Sequence, residues 1–183
     1  MDEFLLKMLS DLELNSKKRN VMKLKELGGQ IAEKAYIRGE RRLVSLIIVS
    51  YSMAKFLEKH YISKSGKWDK FYSRFGAFLQ SAKEELREGD MDSFYSVIDS
   101  MVESIQELSE LQGRFQSNIV DKARIKAGTQ IYAHGASLST AAAFANVDKG
   151  SLASYINVTK LPDKYGTLTV KDRLKMAESL FGM

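Results

Sequence analysis

Proline occurs once in 183 residues, at Pro162, and apolar residues recur at steps of three and four along nearly the whole chain. A multi-stranded β architecture needs turn residues at short intervals, and one proline with 12 glycines supplies too few of them. The spacing therefore predicts an all-α fold. Phe4, Leu5, Met8, Leu9 and Leu12 form one stripe, and Val21, Leu24, Leu27, Ile31 and Ala35 form the next. From Leu43 to Leu57 the apolar positions run nearly all the way round, as expected of a central helix contacted on several sides. Trp68, Phe71, Phe75, Phe78, Leu79, Ala82 and Leu86 make an aromatic-rich stripe that stops at Gly89, while Gly39 and Ser63–Gly66 supply connections. The expectation is a helical bundle over residues 1–118 followed by a C-terminal domain over residues 119–183.

The segment after Asp90 is the most regular. Asp90 is placed to cap a helix by accepting a hydrogen bond from an orphan N–H. Phe94, Ile98, Met101, Ile105, Leu108, Gln112, Phe115 and Ile119 then alternate in steps of four and three. A dimerising coiled coil prefers charged flanks to such a seam. Here the flanks include Val102, Ser104, Ser109 and Leu111, so the broad apolar face predicts packing inside a bundle, with Asp99, Glu103, Glu107 and Glu110 outward. The helix is expected to run on through Asp121–Tyr132 as a rigid arm.

Cysteine is absent, which excludes disulfide scaffolds, thiol catalysis and zinc fingers, and with His60 and His134 as the two histidines no histidine-rich metal site is expected. No cofactor is expected. The formal charge of +5 is uneven: residues 17–74 sum to +10 and residues 75–118 to −6. Lys17, Lys18, Arg19, Lys23, Lys25, Arg38, Arg41 and Arg42 lie in the basic block, which fits either a phosphate-contacting surface or complementarity with the acidic helix that follows. The apolar stretch that begins at Leu43 is flanked by Arg41, Arg42 and Lys55 and falls short of the about 20 residues of a membrane span. The start Met1-Asp2-Glu3 lacks the basic beginning of a signal peptide, so a cytoplasmic protein without membrane attachment is expected.

Leu138 to Asn157 resembles the twenty-residue helix-turn-helix of bacterial and phage regulators. The fifth position, where the two helices touch, is small (Ala142). The ninth, in the turn, is Asn146, a residue that visits the left-handed region at low cost. Positions ten, fifteen, eighteen and nineteen are apolar (Val147, Leu152, Tyr155, Ile156), and Asp148 is set to cap the second helix. The flanks fit a small domain: Asp121–Tyr132 as a preceding helix, with Ile125 and Ile131 inward and Lys122, Arg124 and Lys126 outward. Past Pro162 and Gly166 comes a capping box at Thr169 and Asp172, opening a helix with Val170, Leu174, Ala177, Leu180 and Phe181 on one face.

The resemblance implies a transcriptional regulator whose second motif helix enters the major groove of double-stranded DNA, generally as a homodimer. Carried across residue by residue, the base-facing candidates are Lys149, Gly150, Ser151, Ala153, Ser154 and Asn157, with Lys149, Lys160 and Lys164 as phosphate contacts. Asn157 is the one amide among them capable of bidentate base contact. The spacing from Tyr132 to Ala142 also resembles small archaeal proteins with a C-terminal helix-turn-helix, some of which accompany ribonuclease toxins of the PIN class. That likeness implies the alternative of a non-enzymatic adaptor or antitoxin-like protein, with the trihelical module as an assembly element.

Other signals yield to structural explanations. Gly28-Gly29-Gln30 matches the tripeptide by which release factors promote peptidyl-tRNA hydrolysis, but it lies on a continuous helical stripe between Leu27 and Ile31. The residues around Gly128 and Gly135 contain no Gly-x-x-x-x-Gly-Lys-Ser/Thr phosphate loop. His134 with Ser137 and Ser139 lacks the strand–turn–helix setting of a nucleophile elbow. Glu84, Glu85 and Glu88 have no histidine at ligand spacing. Trp68, Phe71, Tyr72, Phe75 and Phe78 have the spacing of core residues rather than of a base-stacking platform. No catalytic constellation emerges, and the chain is not expected to be an enzyme.

Overall fold

A computed structural model describes residues 2–110 and 119–159. Among the described residues there are nine helices and no strand: α1 (Glu3–Lys17), α2 (Val21–Arg38), α3 (Leu43–Glu58), α4 (His60–Ser63), α5 (Gly66–Glu88), α6 (Met91–Glu110), α7 (Ile119–Ala133), α8 (Leu138–Ala145) and α9 (Lys149–Thr159). None of these helices is long and apolar enough to cross a membrane. Seam positions Gln112 and Phe115, and the C-terminal segment with Lys160, Pro162, Lys164 and the Thr169 capping box, lie outside the described residues.

Local chemistry sets the helix ends. Asp2 and Asn20 accept the amides of Leu5 and Lys23 at 3.2 and 3.1 Å, and Asp90 accepts that of Ser93 at 2.9 Å. Each satisfies a donor that the first helical turn leaves unpaired. Gly39 and Gly89 close α2 and α5 in the left-handed region, at φ +68° and +84°.

The stripes converge on α3, where twelve of sixteen residues are buried and which touches α1, α2, α6 and α7. Ser50, inside this core, donates to the Leu24 carbonyl of α2 at 2.6 Å, so its hydroxyl is satisfied. The aromatic stripe is core: Phe56 is fully buried and meets Trp68 and Phe71 edge-on at centroid distances of 6.4 and 5.6 Å. The described part of the α6 seam packs on α5 and α3, with Phe94, Ile98, Met101, Ile105 and Leu108 all buried.

Charge complementarity accounts for part of the basic block. Arg42 pairs with Asp92 at 2.7 Å and Arg74 with Glu107 at 3.0 Å. Gly28 and Gly29 are mid-helix in α2, and Gly28 is buried, as the helical stripe predicts.

Residues of α7 share the buried cluster of the bundle. Ile119, Ala123, Ala127 and Ile131 of α7 belong to the same buried cluster as α2 and α3, and α7 contacts α2, α3 and α6. This placement corrects the outward assignment of Lys126. Because α7 packs on α2, α3 and α6, Lys126 is half-buried and faces α2 and α3, Arg124 is half-buried as well, and Lys122 is exposed.

Candidate nucleic-acid interface

The three helices α7, α8 and α9 pack on one another, and each expected feature of the turn is present in its atoms. Asn146 ends α8 in the left-handed region (φ 51°, ψ 53°), and its amide and that of Val147 both donate to the Ala142 carbonyl. Ala142 is buried where the helices meet. Asp148 then accepts the Ser151 amide at 2.7 Å and starts α9.

Leu152 anchors the second helix. It is fully buried, and a Cβ placed on Gly128 would stand only 3.2 and 3.3 Å from its two methyl groups and 3.2 Å from the Cβ of Ala145. The absence of a side chain at Gly128 is therefore what lets α7 approach both helices of the motif. Val147, Tyr155 and Ile156 are half-buried around this contact.

The opposite face of α9 is largely exposed. Lys149, Gly150, Ser151, Ser154 and Asn157 are exposed, and Ala153 is half-buried beside them. Positions 150, 154 and 157 follow one another at helical spacing, so they form one ridge. Val158, 83% exposed, extends that ridge and is not among the residues expected from sequence. The ridge can offer a bidentate amide from Asn157, hydroxyls from Ser151 and Ser154, and an ammonium from Lys149. Two of the predicted phosphate contacts, Lys160 and Lys164, lie outside the described residues.

The hydrogen bonds from Ser151 hold the Asp148 carboxyl below the ordinary aspartate value of 3.8. The carboxylate thus stabilises α9 fully above that value, and the contribution is lost as pH falls through the lowered one. The Ser151 amide proton, followed by NMR through acid, is expected to titrate with a midpoint below 3.8. In Asp148→Ala that transition should vanish and the first turn of α9 should exchange faster. A midpoint at or above 3.8 would show that the cap does not form in solution.

Two further contacts seat the motif on the bundle. Phe144 of α8 meets Tyr36 of α2 edge-on at 6.4 Å, and the Arg41 guanidinium lies 5.5 Å from the Phe144 ring centroid. Sequence reasoning assigns neither contact, because Tyr36 in α2 and Arg41 in the α2–α3 turn are both distant from Phe144 in sequence. Between the motif and the bundle lie two adjoining cavities of about 530 and 500 Å3, both lined by Tyr51, Lys55 and Tyr155. Among the described residues no group of three or more acidic or histidine side chains is placed to hold a metal ion. Comparison with family models, curated proteins and solved structures finds no match to this chain.

Proposed function

We propose that the chain is a cytoplasmic DNA-binding protein of the transcription-regulator type, acting as a homodimer with α9 in the major groove. The observation that carries this proposal is the division of α9 into two faces. Its apolar side is locked to α7 and α8 through Leu152, while the ridge from Lys149 to Asn157 is largely exposed. The small side chains at Gly150, Ala153 and Ser154 favour close backbone approach and contact with thymine methyls. One such motif reads only a few base pairs, so a twofold partner doubles the contact.

Because α7 shares the bundle core, the test uses the full chain. Fluorescence anisotropy with a random duplex pool, at low and near-physiological salt, is expected to show salt-sensitive binding. Lys149→Ala should then shallow the salt dependence on every sequence, by about 0.9 in log–log slope, because one phosphate is no longer neutralised. Asn157→Ala should instead relax the preference at one base position, by about 1–3 kcal/mol of discrimination on a selected site. Wild-type affinity and selectivity in both variants would show that α9 does not dock as proposed.

One observation favours a second reading, in which the module holds a protein partner. The exposed Val158 with Ala153 and Ser154 gives the far end of the ridge an uncharged character that suits a protein surface.

A further inference from the structure

The cavity of about 530 Å3 between α2, α3, α7 and α9 combines features that the DNA-binding ridge does not use. Its wall carries the ammonium groups of Lys25, Lys55 and Lys126, the amide of Gln130 and the rings of Tyr51 and Tyr155. The charges there are unequally balanced. Lys25 and Lys55 share one carboxylate, Glu58, and the lining carboxylate Glu26 is already paired with Lys23 at 2.7 Å. Lys126, half-buried, forms no ion pair with any described carboxylate. Burial lowers its pKa, and repulsion from Lys25 and Lys55 lowers it further. A partly desolvated ammonium held among like charges destabilises the fold, so its position at the wall of a cavity needs a reason beyond packing.

We propose that this cavity binds the phosphate group of a small, ring-bearing molecule, with Lys126 as the principal charge contact. Lysines converge on it and, among the described residues, no arginine lines it, which suits a multiply charged phosphate better than a carboxylate, the usual bidentate partner of the planar guanidinium fork. The volume lies within the range of small-ligand sites, and the two tyrosines supply aromatic surface for a ring. The recess between helices distinguishes such a ligand from a duplex backbone, which would lie on the convex ridge of α9. The proposal stands apart from the DNA-binding one, since it uses the opposite side of α9.

Calorimetric titration of the full chain with inorganic phosphate, ribose 5-phosphate and AMP, with adenosine as the uncharged control, provides the test. At least one phosphate probe is expected to saturate, with AMP binding more tightly than adenosine. Lys126→Gln should weaken the phosphate probes by about tenfold or more, the effect of removing one charge-assisted contact. The same substitution should leave the melting temperature unchanged or raised, because it relieves repulsion from Lys25 and Lys55. Lys149→Ala, on the far face of α9, should bind the probes as wild type. No uptake of any phosphate probe at about 10 mM, equal binding by Lys126→Gln, or equal binding of adenosine and AMP would each overturn the assignment.

Discussion

Leu152→Ala is expected to release α9 from its seat and to abolish the proposed DNA binding while leaving the bundle folded. A fully buried leucine cut to alanine loses about 2–5 kcal/mol, the spread depending on how far the neighbours collapse. Collapse is restricted here, because Gly128 and Ala145 on the facing helices have little side chain with which to fill the space. Hydrogen exchange should show the destabilisation concentrated in α9, with the amides of α3 and α5 protected as before. Leu152→Met, which conserves volume, should retain most of the stability. If exchange accelerates equally throughout α1 to α6, α9 is an integral part of the global core rather than a unit seated on it.

Phe56→Ala acts within the bundle core and should lower global stability. The side chain is fully buried and bridges α3 to the aromatic stripe of α5 through two edge-on ring contacts. Truncation of a buried phenylalanine costs about 3–5 kcal/mol, a large part of the about 5–15 kcal/mol that holds a domain folded. The urea midpoint is expected to fall sharply, and Phe56→Leu to recover much of the stability. A stability within about 0.5 kcal/mol of wild type in Phe56→Ala would contradict the packing described between α3 and α5.

What the sequence discloses depends on whether the cause is local. The left-handed Asn146, the Asp148 and Asp90 caps and the buried seam of α6 follow from residues within a turn or two of each other, and all are legible. The seat of α7 is not. Its buried stripe is Ile119, Ala123, Ala127 and Ile131, and alanine gives a weak periodic signal because it has so little apolar surface. The larger Ile125 therefore draws the inward assignment, although it is only half-buried at a cavity wall. The same docking turns Lys126 toward Lys25 and Lys55, which are distant in sequence. The cavity has no motif: it exists only because residues from four helices converge. On α9 the polar positions can be read from the resemblance, and five of the six described candidates are indeed exposed. A DNA face and a protein face differ in the partner each contacts.

That distinction is the central one, and a map of the contact surface tests it most directly. Amide cross-peaks of the full chain should be followed by NMR while duplex DNA selected from a random pool is added. The expected result is a contiguous set of shifts over Lys149–Asn157, reduced at higher salt, with the surfaces of α5 and α6 unmoved. Shifts confined to the basic residues of α1 to α3, or no shifts with any duplex, would contradict the placement of α9 in the major groove.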